Sequence, residues 1–139
     1  LEPINIALKS NIKKLFIKGN SGMLIQVFDN LINNSQYWLN QHMKEMRKDT
    51  SFHQKPEINI VINNNDNIEF FDNGYGISHS DSKFIFEPFF TRKNEGRGLG
   101  LYIITQILNF HEANIYLSDE QNEFGNYYKF IIDFSTNQI

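Results

Sequence analysis

Ile4, Ile6 and Leu8 alternate with their neighbours, a period of two that predicts a half-buried strand. Leu15 to Ile17 predicts a short second strand. Gly19-Asn20-Ser21 then breaks the chain, and Asn20 or Ser21 can cap a helix by accepting a bond from an early backbone N–H. Leu24, Val27, Phe28, Leu31, Ile32, Trp38 and Leu39 follow at spacings that trace one helical face, so the helix is expected to run to about Lys48. Asp49 to Pro56 is polar loop. Ile58, Ile60 and Ile62 alternate again, Asn63-Asn64-Asn65-Asp66 suits a tight turn, and Ile68 and Phe70 continue into a partner strand, which predicts a hairpin. Glycine-punctuated loops occupy Asp72 to Gly98. Leu99 to Phe110 predicts a second long helix, with Leu101, Ile104 and Leu108 on one side. Ile115 and Leu117 begin a strand, Asn122 to Asn126 turns, and Tyr128, Phe130, Ile132 and Phe134 alternate through the last one. Paired strands around two long helices predict an α+β fold, a mixed, mostly antiparallel sheet with helices on one face.

Composition narrows the functions open to such a fold. The 139 residues give room for one domain. The 40% apolar and 21% charged residues are ordinary for a soluble globular chain, and aromatics are high at 14%, with 13 Phe. There is no Cys, which excludes disulfides, thiolate metal sites and cysteine nucleophiles. A formal charge of −3 argues against a broad nucleic-acid-binding face. No apolar run approaches the ~20 residues of a membrane-spanning helix, and no signal peptide opens the chain. Leu1 rather than Met comes first, so the sequence is expected to be an excerpt of a longer polypeptide.

Four segments carry candidate chemistry. In Asn30-Leu31-Ile32-Asn33-Asn34-Ser35, the first and fifth residues sit one above the other on a helix, with Asn33 on a different face. An amide there can offer its carbonyl oxygen to Mg²⁺, and can equally be an ordinary surface amide in an Asn-rich chain. Asp72-Asn73-Gly74-Tyr75-Gly76-Ile77 follows a strand directly, and Asp72 leaves it on the inward face of Ile68 and Phe70. A carboxylate there needs a donor, and the exocyclic amine of a purine would serve; a plain Asx turn is the simpler alternative. Ile85-Phe86-Glu87-Pro88-Phe89-Phe90-Thr91-Arg92-Lys93 reads as an apolar lid ending in two cations. Gly96-Arg97-Gly98-Leu99-Gly100-Leu101 opens a helix, whose free N–H groups and positive dipole end suit an anion. Arg92, Lys93 and Arg97 gather positive charge there in a net acidic chain.

In this order the segments resemble the asparagine box, the first glycine box, the phenylalanine box and the second glycine box of the ATP-binding domain of sensor histidine kinases. The wider superfamily includes gyrase, the MutL mismatch-repair proteins and the large heat-shock chaperone. IFEPFFTRK followed closely by GRGLGLYI is near that family's usual wording, and the likeness extends from GNSGMLIQVF to HEANIYLSDEQNEFGNYYKFIIDF, nearly the whole chain. The resemblance implies a two-layer α/β sandwich of the Bergerat type, with residues 1–139 forming a single catalytic domain. ATP would lie beneath a short lid, in which only Asn94 and Glu95 separate Lys93 from Gly96. By the same resemblance Asn34 would hold Mg²⁺, Asn30 would assist, and Asp72 would accept a hydrogen bond from the adenine amino group. Tyr37, Gly74, Gly76, Ile77, Phe89, Thr91, Arg92, Lys93, Gly96, Arg97, Gly98, Leu99, Gly100 and Leu101 would complete the nucleotide site, with Asn34, Lys93 and Arg97 serving the chemistry.

The sequence departs from the pattern at four places. Tyr37 stands where a Lys or Arg is common, Arg97 where Thr or Ser is common, Ser35 where Ala is usual, and Ala113 where Gly is usual. The position that holds a catalytic Glu in the gyrase and chaperone branch is Asn30 here, and an amide is no base, so very slow ATP hydrolysis is expected. Of His42, His53, His79 and His111, only His111-Glu112 superficially resembles a phosphoacceptor, and it falls at the end of the second helix, where the family often has His for structural reasons. The resemblance therefore implies transfer of the γ-phosphoryl group of Mg-ATP to a histidine outside this chain. The partners would be a phosphoacceptor hairpin of the same protein and then a response regulator, with no nucleic acid and no direct membrane contact. The domain would be cytoplasmic within a protein that is usually membrane-anchored. The alternatives are an ATP-gated conformational switch in a larger non-kinase protein and a degenerate nucleotide-binding interaction module.

Overall fold

Asn20 starts the first helix: its Oδ1 accepts the Met23 N–H at 2.9 Å and its carbonyl accepts the Leu24 N–H at 3.1 Å. In a computed structural model, which describes residues 3–12, 14–46, 48, 54–93 and 95–137, this helix is α1 (Ser21–Met46). Around it stand β1 (Asn5–Ser10), β2 (Glu57–Ile62), β3 (Asn67–Asp72), the short α2 (His79–Ser82), α3 (Gly100–Phe110), β4 (Asn114–Leu117) and β5 (Lys129–Asp133). His53 and Asn94, with most of the loop predicted after Lys48, lie outside the described residues.

The strands form one five-stranded sheet in the order β1-β2-β3-β5-β4. β1 runs parallel to β2, and the other pairings are antiparallel. The hairpin joins β2 to β3 through Asp66, which adopts a left-handed φ of 59°. The even-numbered residues Ile58, Ile68, Phe70 and Ile132, with Phe134 just beyond β5, face the helices and are buried. Val27, Leu31, Leu39 and Met43 of α1 and Ile104, Ile107 and Leu108 of α3 close the core against them. The expected sandwich, helices over one face of a mostly antiparallel sheet, is the fold observed.

Two expectations fail locally. Leu15 to Ile17 is not a strand: Leu15 and Ile17 pack on the core from irregular chain, with Phe16 exposed between them. The backbone of the adjoining Lys18 is satisfied by the Asn137 amide, at 2.8 and 2.9 Å, not by a neighbouring strand. β1 forms, but it is an edge strand with Ile6 46% and Leu8 68% exposed, because the helices cover the centre of the sheet. α2 was not anticipated, although Ser78 caps it by accepting the Asp81 N–H at 3.2 Å, a Ser-x-x-Asp signal present in the sequence.

Phe70 is 1% exposed at the centre of the core. Phe70→Ala is expected to lower the unfolding free energy by about 3–5 kcal/mol, measured by urea denaturation with an unchanged denaturant slope. A loss below about 1 kcal/mol would contradict its placement.

Candidate functional site

α1 carries Asn30, Asn34, Trp38 and His42 at four-residue intervals, a slowly turning ridge that faces the open end of the sandwich. That ridge is one wall of a cavity of about 620 Å³, a size typical of small-molecule sites. Of the candidates, Asn30, Asn34, Asp72, Gly76, Ile77, Thr91, Arg92, Lys93, Gly96, Arg97, Gly98, Leu99, Gly100 and Leu101 all line it. Tyr37, Gly74 and Phe89 do not. Tyr37 and Gly74 support side chains that do, as described below. Phe89 is 75% exposed on the outside of the lid.

Asp72 ends β3, and its carboxylate turns into the cavity where two donors meet it. Ser35 Oγ donates to Oδ2 at 2.7 Å and the Gly74 N–H donates to Oδ1 at 2.9 Å. Burial still pushes the carboxyl above the usual carboxylate range, against the pull of these bonds and of nearby His42. Ser35, in sequence only a mild departure, thus links α1 to this carboxylate. His42 was not anticipated as a site residue. Its ring lies between Trp38 and Tyr75, with centroids at 5.3 and 4.6 Å, and its buried Nδ1 has no hydrogen-bond partner. Burial holds the His42 imidazole below its ordinary pKa, opposed by the charges of Asp72 and Glu45. The four-residue ladder from Asn30 is the sequence signal that reaches both Trp38 and His42.

The other end of the cavity is cationic. α3 begins at Gly100 with no side-chain cap, so the chain from Gly98 to Leu101 brings its leading N–H groups to the cavity. Asn30 Nδ2 approaches the Gly100 carbonyl at 3.5 Å, and a Cβ on Gly100 would stand 3.8 Å from Asn34 Nδ2, so both amides border this helix start. Gly98 makes the arrangement possible. Its φ is 71°, and a Cβ there would fall 2.4 Å from the Phe89 carbonyl carbon and 2.6 Å from the Phe90 oxygen. Only glycine lets the lid return this closely and seat the Phe89 N–H on the Gly98 carbonyl, at 2.8 Å.

The lid cations are differently placed. Arg92 pairs with Asp81 of α2 through Nη2 at 2.9 Å and Nε at 3.3 Å and lies over the Phe90 ring. Arg97 is exposed at the rim. The Lys93 ammonium donates to Asn34 Oδ1 and stands 5.1 Å from the centre of the Tyr37 ring. Burial lowers its pKa. An anion fits this end, and a cation on Asn34 Oδ1 is already the arrangement seen. Among the described residues no group of three His, Cys, Asp or Glu side chains gathers that could hold a metal, so Mg²⁺ would depend on the amide oxygen together with phosphate oxygens and water.

Residues 19–136 match the family described as histidine kinase-, DNA gyrase B-, and HSP90-like ATPase. The chain belongs to this family. It is an ATP-binding catalytic domain of the histidine-kinase type. It is 29% identical over 125 residues to the heme sensor protein HssS of Staphylococcus epidermidis, covering 86% of this chain and 25% of that protein. It is 33% identical over 113 residues to drug sensory protein A of Synechocystis, covering 76% of this chain and 17% of that protein. The catalytic domain of histidine kinase ThkA shares the fold, with a TM-score of 0.69 at 22% identity over 93% of this chain and 76% of that one. The chain thus spans a quarter or less of the curated relatives named here.

Because burial raises the Asp72 pKa, its charged form costs stability above the folded pKa, and that cost disappears as pH falls toward the unfolded value. Asp72→Asn keeps the shape: its Oδ1 can still accept the Gly74 N–H, and its Nδ2 can donate to the Ser35 hydroxyl, which accepts as well as donates. The ligand-free variant is therefore expected to melt at or above the wild-type temperature at neutral pH, with the difference shrinking on acidification toward about pH 4. Thermal unfolding across pH checks this. A neutral-pH loss as large as that of a core truncation would show that the ionised carboxylate is structural.

Proposed function

We propose that this domain binds Mg-ATP and donates the γ-phosphoryl group to a histidine outside the chain, as the catalytic domain of a two-component sensor histidine kinase. A response regulator would then take the group from that histidine, on the cytoplasmic side where ATP is available. The observation that carries the reading is one cavity in which α1 joins a part-buried carboxylate to an uncapped, cation-flanked helix start. Ser35, bonded to Asp72, and Asn34, beside Gly100, are consecutive on that helix.

In this reading Asp72 accepts the adenine amino hydrogen, held in place by Ser35 and Gly74. The α3 N–H groups, Lys93 and Arg97 receive the phosphate oxygens. Mg²⁺, when bound, neutralises charge on those oxygens, with Asn34 Oδ1 as its protein ligand. Transfer forms a bond from the acceptor imidazole nitrogen to the γ-phosphorus and breaks the bond to the β–γ bridging oxygen, leaving ADP. Position and charge carry such a reaction, with little covalent help from the protein.

Hydrolysis would need a base for water beside the phosphates; among the described residues lining the cavity no carboxylate is free for it, and His42 lies with Trp38 and Tyr75, about two turns of α1 from Asn34. Asn30 is an amide and Asp29 is exposed outside the cavity. Of the two carboxylates lining the cavity, Asp72 is held by its two donors and Asp81 is paired with Arg92. His111 offers no acceptor either. It is 3% exposed, its Nε2 accepts the Asn20 N–H at 3.0 Å, and its Nδ1 lies 2.7 Å from the Ile107 carbonyl.

Incubated with γ-labelled ATP, the full-length protein is expected to acquire acid-labile label on histidine, while this chain alone acquires none and releases phosphate only very slowly. Rapid phosphate release by the isolated chain, abolished in Asp72→Asn, would overturn the kinase reading in favour of a dedicated ATPase. ATP binding without label on the full-length protein would favour the conformational switch.

A further inference from the structure

Among the described residues, Lys93 is the one lid cation that has left solvent without gaining an acid. Arg92 has Asp81. Lys93 is part-buried, and among the described residues no carboxylate pairs with it. Two groups hold it instead: the amide oxygen of Asn34, and the face of the Tyr37 ring, whose negative quadrupole attracts an ammonium. Tyr37 is itself braced edge-on by Trp38, with ring centroids 4.9 Å apart. Asn34 and Tyr37 are three apart on α1, so they present an oxygen and a ring to the same point. An ammonium part-desolvated and, among the described residues, held by neutral groups, in a cavity at an uncapped helix start, is a charge awaiting an anion.

We propose that Lys93 is the built-in counter-cation of the site. It is held at the amide oxygen a divalent ion would use and cradled there by Tyr37, so that the site accepts metal-free nucleoside triphosphate as well as its Mg²⁺ complex. This rests on the ATP reading given above. Two cations cannot share Asn34 Oδ1 without repulsion, so a divalent ion arriving with nucleotide sends the ammonium on to a phosphate oxygen. Without the metal, the ammonium stays on Asn34 and receives the phosphate where it stands. Tyr37 is a positioning residue in this scheme. It supplies no charge and acts by keeping the lid's charge over the cavity.

The test is ATP binding by calorimetry in Mg²⁺ and in EDTA, with adenosine as the phosphate-free control. Wild type is expected to lose little affinity when Mg²⁺ is removed. Lys93→Gln is expected to bind ATP on the order of tenfold or more weakly than wild type in EDTA, by loss of a charge-assisted contact, and less weakly in Mg²⁺. Adenosine affinity should be unchanged. Tyr37→Leu is expected to show the same metal dependence at about threefold or more, and Tyr37→Phe, which keeps the ring face, to restore the wild-type ratio. The same metal dependence in wild type and Lys93→Gln would overturn the counter-cation, and Tyr37→Phe failing as Tyr37→Leu does would overturn the cradle. A wild-type chain that binds adenosine and ATP in neither condition would overturn the nucleotide site itself, a different failure.

Discussion

The carboxylate of Asp72 is the constraint around which the cavity is arranged. It sits at the last residue of β3, on the same face as Ile68 and Phe70, and it is part-buried with two protein donors. Its two donors come from different parts of the chain. Ser35 brings α1 to the end of the sheet, and Gly74 folds the following loop back on the strand. Once α1 is fixed there, its four-residue ladder sets Asn30 and Asn34 beside the start of α3 and Trp38 and His42 beside Tyr75. His42 to Asn34 is eight residues, about 12 Å along the axis, so one helix runs from the His42 stack, past the carboxylate bonded at Ser35, to the amides beside α3.

The lid is built on a different principle, backbone strain held by glycine. Phe89 has a left-handed φ of 70° although it is not glycine, a conformation that costs on the order of 1–3 kcal/mol. The bond from its N–H to the Gly98 carbonyl and the close pass of Gly98 hold it there. The same pinch sets Lys93 and Arg97 on one short loop over the cavity. It also turns the Phe89 ring outward, where the resemblance to known kinases had placed it among nucleotide-binding residues. The exposure of this aromatic follows from the backbone path at the strained lid position.

The central elements were legible because each has a clean period. Alternation in Ile58 to Ile62, Ile68 to Phe70 and Phe130 to Phe134 marks strands that bury one face, and the spacing in α1 marks a helix that buries one stripe. The same alternation misled at Leu15 to Ile17, where the apolar side chains are buried as predicted but no strand edge is there to take the backbone. At β1 the strand was right and its burial wrong, since pattern reports the face a residue is on and not how far the helices reach across the sheet. In the site, the glycines and cations could be read from local sequence. The Ser35–Asp72 bond, the His42 stack and the Asp81–Arg92 pair could not, because each joins segments whose proximity only the fold decides.

The central claim, that the Asp72 end of this cavity takes adenine, is tested most directly by thermal unfolding with ATP and with GTP, for wild type and Asp72→Asn. A ligand at 100 times its dissociation constant adds about 2.7 kcal/mol, enough to raise the midpoint by roughly 3–8 °C. The account predicts such a rise for wild type with ATP, little with GTP, and none for Asp72→Asn with ATP. An equal rise in the variant, or equal protection by GTP, would show that the carboxylate does not read the base.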